Sequence, residues 1–503
     1  MSPLFLSLDV GTTSLKAALF DARGQLLALE RQEYTLLTPA ANRVELDPST
    51  YWEALTLSVR AVLQRSAAVP AEIATLCISS QGETFIPIDA GGAPLTPAIV
   101  WLDNRAVEEA RLIADRFGLD EVFQRTGQPD VAPTWPACKF LWLRRNQPEV
   151  FARVTKFLWL EDYLLYRLTG QAVTSLAQQT SSLLLDIRSK DWWPEMMDFV
   201  GVRPDQLGTL LPPGRLVGPL LPEAAAALGL TPRTQAVAGS MDQAIAALGA
   251  GLSAGVVVES TGGALGIVAA LEQPLFDPQR RVPCYFHAAP DTYCLLPWGQ
   301  TAGMALKWLR DQFFPLEMQA ALAAGRDPYD DMTAAAALVS PGCDGLLALP
   351  HLEGAFCPEF NPNARAVFFG ATLRHTRPHF TRALLEAVAF MLKRNLDLLE
   401  GLGIPVHAIR SLGGGARSPL WLQIKADVLQ KPVQTMAVEE AACLGAAMLG
   451  AHAVGVYPDL DQAVASMLQT KAVIQPNPTH AAIYQQQYAR YVELYDRLAP
   501  MFV

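Results

Sequence analysis

Two carboxylates stand where apolar runs end. Asp9 closes Leu4-Phe5-Leu6-Ser7-Leu8, and the polar turn Gly11-Thr12-Thr13-Ser14 follows it. A turn of glycine and threonine points backbone N–H groups and hydroxyls at one spot, a nest for anions and above all for phosphate. Asp9 would repel a bare phosphate but suits one that carries Mg²⁺, which takes carboxylate oxygens, often through water, and bridges phosphates. An ordinary hairpin with a capping Asp is the other reading of the same residues. The second carboxylate, Asp242, follows the strand-like "TQAVAGS" and opens an apolar helix. It suits a helix cap or a general base held at a rigid strand end, and the local pattern favours the cap.

Two further glycine-rich turns fit the same chemistry. "ESTGGALGIV", residues 259–268, repeats the opening geometry of strand, polar turn and strand about half a chain later. "SLGGGARS", residues 411–418, has three consecutive glycines, which let a bulky ligand approach the backbone closely. None of these is a Walker loop, since no G-x-x-x-x-G-K-[ST] occurs.

The elements that must hold these turns follow from periodicity. "PLFLSLDV" reads as a strand, and "KAALFDARGQLLALERQEY" as strand, turn at Arg23-Gly24 and strand. Residues 47–67 read as a helix capped by Asp47, with Pro48 in its first turn and Trp52, Leu55, Val59, Val62 and Leu63 on one face. "EIATLCISS" is a strand ending at Gln81-Gly82-Glu83, and "KFLWLEDYLLYRLTG" reads as a helix closed by Gly170. A long helix is expected over about 379–400, with Leu385, Val388, Leu392, Leu396 and Leu399 on one face. The glycine run at 413–415 joins a strand to another helix. The expectation is an α/β protein of two domains, each opening with a β-turn-β unit, with the boundary near 245–255.

Composition narrows the class. A chain of 503 residues is too long for a single core. Half of it is apolar and 17% charged, so it is globular. The net charge of −10 argues against a general nucleic-acid binder. Seven scattered cysteines without C-x-x-C fit reduced thiols in a cytoplasmic protein. No His/Cys cluster suggests zinc. No basic region precedes the first apolar run, so no signal peptide is expected. The least polar stretch, residues 244–258, suits a buried helix, turn and strand better than a membrane span.

Nearly the whole chain resembles the FGGY carbohydrate kinases. "DVGTTSLKAALFD" is similar to their first phosphate loop, and "ESTGGALGIV" to the second. "SSQGETFIPIDAGGAPLTPAIVWLDNRA" resembles their sugar-site segment down to W-x-D-x-R at Trp101, Asp103 and Arg105. "AVAGSMDQAIAALGAG" matches the run into their catalytic Asp, and "LGGGARSPLWLQIKADVLQKPV" their adenosine site. The resemblance implies a two-domain actin-like ATPase fold, of the ribonuclease H-like kind, around a central cleft. A sugar-binding domain would cover residues 1–250 and a nucleotide-binding domain residues 251–503. Asp242 would be the catalytic base. Gln81, Glu83, Trp101, Asp103 and Gln243 would meet the substrate. Gly11, Thr12, Thr13, Thr261, Gly262, Gly414, Gly415 and Ala416 would bind ATP, and Asp9 would orient Mg²⁺. The partners implied are ATP and a small sugar or polyol, without nucleic acid or membrane; assembly as a homodimer is left open.

The sugar segment departs from its relatives. Xylulokinases carry Met-His after this Gln and glycerol kinases Arg-Glu, whereas this chain has Gly82-Glu83. Thr134 stands where glycerol kinases have an aromatic residue. A pentulose such as D-xylulose, phosphorylated on a terminal primary hydroxyl, is the substrate expected, with room made by losing the Arg at position 82. Glycerol or an erythritol-type polyol is the alternative acceptor. An actin- or chaperone-like ATPase, or a sugar-binding regulator without catalysis, are the readings from other classes.

Overall fold

The computed structural model describes residues 3–503. They divide into two compact units. The first takes the chain up to Gly251 together with Leu271–Cys294 and Glu440–Leu468; the second takes Leu252–Ala270, Leu295–Glu439 and Gln469–Val503. Where the sequence suggested one cut at 250/251, the chain passes from unit to unit several times.

The first unit is built on a six-stranded sheet. Its order is Leu216–Pro219, Gln235–Met241, Ile73–Ser80, Leu4–Val10, Ser14–Phe20, Leu26–Glu33. The strands at 235–241, 73–80 and 4–10 are parallel neighbours. Their residues are buried almost throughout, as strands covered on both faces require. All three therefore end on the same side of the sheet. There they deliver Asp9, Gln81 with Glu83, and Asp242. Strands 4–10 and 14–20 form the expected hairpin, closed by a hydrogen bond from Gly11 N–H to Ser14 O of 3.0 Å.

Helix Pro48–Ser66 covers one face of this sheet. The Asp47 carboxylate caps it by accepting Ser49 N–H at 2.8 Å. Tyr51, Leu55, Val59 and Val62 pack into a core with Leu6, Leu8, Leu15 and Ala17. Each fully buried aliphatic side chain there contributes about 1.5–3 kcal/mol.

The segment 156–170 corrects one expectation. Only Leu160–Thr169 is helical; Lys156–Trp159 is a strand paired antiparallel with Phe85–Ile88. Phe157, Leu158 and Trp159 are all buried, and successive buried residues suit an extended chain covered on both faces. The Asp162 carboxylate accepts Trp159 N–H at 3.1 Å and so sets the helix start. Gly170, at φ 74°, closes the helix in the left-handed conformation as expected.

The second unit repeats the plan. Its strands run in the order Leu265–Leu271, Val256–Thr261, Ala408–Leu412, Val433–Met436, Thr470–Ile474, with the pairs 256–261/408–412 and 408–412/433–436 parallel. Helix Arg377–Gly401 buries Leu385, Val388, Leu392, Leu396 and Leu399, the stripe its sequence spacing predicts. Ser418 caps helix Pro419–Leu429 through Trp421 N–H at 3.3 Å. All seven cysteines are buried. Among the described residues no helix is long and apolar enough to cross a membrane.

Candidate active site

Three carboxylates meet at the ends of the parallel strands of the first unit. Asp9 accepts a hydrogen bond from the Ser79 hydroxyl at 3.2 Å, and the Lys16 ammonium lies 3.8 Å away. Burial raises the Asp9 pKa, and Lys16 and Ser79 oppose that rise. Lys16 escaped the sequence reading although the hairpin register carries it. With Val10 opposite Leu15, Asp9 must stand opposite Lys16. Lys16 in turn binds Glu440, just before helix Ala441–Ala453, at 2.5 Å.

Asp242 is the first residue of helix Asp242–Gly249; Met241 holds the capping position. Among the described residues the carboxylate takes only the N–H of Gln243, at 2.7 Å. Burial, then the charges of Asp9 and Glu83, push its pKa up to about 7. A carboxylate poised there serves a general base at neutral pH better than it serves a cap. Glu83 is likewise raised, chiefly by burial, with the Ser181 hydroxyl and Lys139 opposing. Lys139 is fully buried and donates to the carbonyls of Val100 at 3.0 Å and Trp101 at 3.4 Å. Burial lowers its pKa to about 8 against the pull of Asp103 and Glu83.

The remaining residues of the first unit divide in two. Gln81 is buried, donates to the Tyr51 hydroxyl at 3.2 Å, and its Oε1 has no protein partner among the described residues. Trp101 donates its indole N–H to Thr12 Oγ1 at 2.9 Å, which ties the sugar segment to the first glycine turn. Tyr34 holds that turn from the other side, through the carbonyls of Gly11 and Thr13. Gln243 lies half-buried beside Asp242.

Asp103 differs from expectation. It was to accept hydrogen bonds from sugar hydroxyls. Its buried carboxylate already takes Val44 N–H at 2.7 Å, Arg105 N–H at 3.0 Å and the Arg105 guanidinium at 2.8 and 2.6 Å. With four donors in place it organises the W-x-D-x-R turn instead. A Cβ on Gly82 would lie 3.3 Å from Met241 Sδ and 3.6 Å from Ser181 Oγ, so these two side chains line position 82.

In the second unit the two later glycine turns lie against each other. A Cβ on Gly415 would meet Thr261 Cβ at 2.7 Å, and one on Gly413, at φ 75°, would meet Thr261 O at 2.8 Å. Helix Gly303–Phe313 begins beside the second turn, with N–H groups of Ala302, Gly303 and Met304 donating to Gly262 and Gly263 carbonyls. Gly414 faces open space and Ala416 is partly exposed. Thr261 was expected to bind ATP together with Gly262. Its hydroxyl is turned inward, donating to Glu259 at 2.7 Å and accepting from Lys425 at 2.9 Å. The backbone of the turn, at Gly262, remains on the surface.

Models of the FGGY family of carbohydrate kinases match both halves of the chain, the N-terminal domain over residues 4–249 and the C-terminal domain over residues 261–454. The chain belongs to the FGGY family of carbohydrate kinases. It is an ATP-dependent phosphotransferase with an alcohol group as acceptor, on the actin-like ATPase fold, with a mixed sheet in each unit. This FGGY kinase is 32% identical to a gluconokinase of Bacillus subtilis over 93% of its length and 91% of the relative's. It is 30% identical to a xylulose kinase of Lactococcus lactis, over 97% and 96%. The ligand-bound xylulose kinase of Lactobacillus acidophilus superposes with a TM-score of 0.90 at 27% identity, covering 99% of each chain.

Proposed function

We propose that this FGGY kinase transfers the γ-phosphoryl group of ATP to a terminal primary hydroxyl of a neutral open-chain sugar, a pentulose of the D-xylulose type. The observation that carries the reading is the trio Asp9, Glu83 and Asp242 at the ends of three neighbouring strands. Asp242 takes the hydroxyl proton, the freed oxygen attacks the γ-phosphorus, and ADP leaves. Phosphoryl transfer asks for positioning and a modest base more than for a strong nucleophile. Glu83, Gln81 and Trp101 would orient the sugar on the first unit, with Gln243 beside the base. Asp103 holds the turn that carries Trp101. The nucleotide would sit on the second unit, against Gly262, Gly414, Gly415 and Ala416; on the first unit, Gly11, Thr12 and Thr13 would form a phosphate-binding turn.

Mg²⁺ fits Asp9. This ion commonly takes one or two carboxylates, keeps several waters and shares the phosphates. A single partly exposed Asp with one hydroxyl neighbour meets that need, although no group of three ligating side chains occurs among the described residues. When bound it would neutralise phosphate charge.

The charges of the first unit favour a neutral acceptor. Asp9, Glu83 and Asp242 repel an added carboxylate, and the cations beside this cluster are engaged. Lys16 is held by Glu440, Arg105 by Asp103 and Glu45, and Lys139 by two carbonyls. An aldonate such as gluconate is the second reading, since two Bacillus relatives are gluconokinases. The test is kcat/KM for D-xylulose, D-ribulose, gluconate, erythritol and glycerol. A ketose is expected to lead. Gluconate or a short polyol ahead of both ketoses by tenfold, about 1.4 kcal/mol of transition-state discrimination, overturns the pentulose.

A further inference from the structure

Beneath the two glycine turns of the second unit lies an ion pair that the reaction itself does not use. Lys425, on helix 419–429, and Glu259, on strand 256–261, have no exposed side-chain surface. Their charges are 2.6 Å apart, and both are anchored to the turns. The Lys425 ammonium donates to Glu259, to Thr261 Oγ1 at 2.9 Å and to Ser411 Oγ at 3.4 Å; Glu259 accepts from the hydroxyls of Thr261 and Ser411. Thr261 opens one glycine turn, and Ser411 precedes the other by two residues. Gly415 of that second turn rests on Thr261, and a Cβ there would also lie 3.3 Å from the Lys425 ammonium. Burying two charges to fix two hydroxyls is costly, and an apolar pair of similar volume would serve folding as well or better. The cost is explained if the pair holds something that apolar packing cannot, namely the register of one turn against the other.

We propose that Lys425 and Glu259 are positioning residues for the nucleotide: together they lock the turn at 261–264 to the turn at 413–416, so that both present their backbone to ATP in one fixed arrangement. The pair touches no reacting atom. Its loss loosens the nucleotide site and leaves the sugar site on the other unit as it was. The inference rests on the reading that the nucleotide sits at these turns.

Lys425→Met alone strands a buried carboxylate and endangers the fold, so the decisive variant is the double replacement Glu259→Gln with Lys425→Met, which removes both charges. It is expected to keep its melting temperature within a few degrees, to raise KM for ATP tenfold or more, and to leave KM for the sugar within twofold. An unchanged KM for ATP in the folded double variant overturns the proposal. So does an equal rise in both KM values, which marks a general loss of structure. A double variant that does not fold assigns the pair to folding and overturns it as well. Gly414→Trp tests the underlying reading separately, because position 414 faces open space. If this single replacement raises KM for ATP while the double variant does not, only the positioning role fails. If the single replacement leaves KM for ATP unchanged, the nucleotide does not bind there and both readings fail.

Discussion

Asp242, the base proposed above, illustrates how surroundings change what a carboxylate can do. Burial and two neighbouring carboxylates hold its pKa at about 7, well above an ordinary aspartate. A base must be deprotonated to act, so kcat/KM is expected to fall about tenfold per pH unit below that pKa. A pH–rate profile that stays level down to pH 5 would count against the role. Asp242→Asn removes the base while keeping the side chain's shape. Turnover should drop by roughly two to four orders of magnitude, the usual worth of a positioned base, with the far-ultraviolet circular dichroism unchanged. Asp9 carries a separate prediction. EDTA should abolish activity and Mg²⁺ restore it, and Asp9→Ala should need far more Mg²⁺ for half-maximal rate. Full turnover of the wild type in metal-free buffer would end this assignment.

Among the elements, helix 160–169 and strand 235–241 brace the strand end that carries the proposed base. Glu161, fully buried on the helix, accepts the N–H of Gly239 at 2.6 Å, three residues before Asp242. Gly239 admits nothing larger, since a Cβ would lie 1.7 Å from Ile78 O on the adjacent strand. Burial, helped by the neighbouring Asp162, holds the Glu161 pKa well above the usual carboxylate range. The native state then binds this proton more tightly than the unfolded chain does. Its stabilising contribution is present at low pH and lost as pH rises through the native pKa. Glu161→Gln keeps an acceptor for Gly239 and removes the titration. Between pH 5 and pH 8.5 the wild type should therefore lose more melting temperature than the variant. Equal losses would show that Glu161 does not carry this linkage.

For the whole molecule, a kinase and a partner-driven ATPase built on one fold differ in what releases ADP. The acceptor site proposed on the first unit, with Gln81, Glu83 and Trp101, would have no use in an ATPase that answers to another protein. ADP release should therefore be negligible without sugar, and match the sugar phosphate formed one for one when sugar is present. Sugar-independent hydrolysis at a comparable rate would contradict that coupling.

The sequence alone determined the pieces governed by local rules. Strand and helix periods, the Asp47 cap, the glycine turns and the carboxylates at strand ends are all set by residues within a few positions of one another. The ordered motifs likewise identified the family. Segment 156–170 escaped because a short buried strand and a buried helix read alike in an apolar run. Tertiary structure decided which side chains are already occupied. Asp103 commits its oxygens partly to Val44, 59 residues away. Met241 packs beside Gly82, and Lys425 reaches Glu259 across 166 residues to turn Thr261 inward. Lone pairs and free volume belong to whichever groups the fold brings nearest, and no local pattern lists those neighbours. A charge inside an apolar run, as at Glu259, is a local sign that such a partner exists, because a buried charge left unpaired is strongly destabilising.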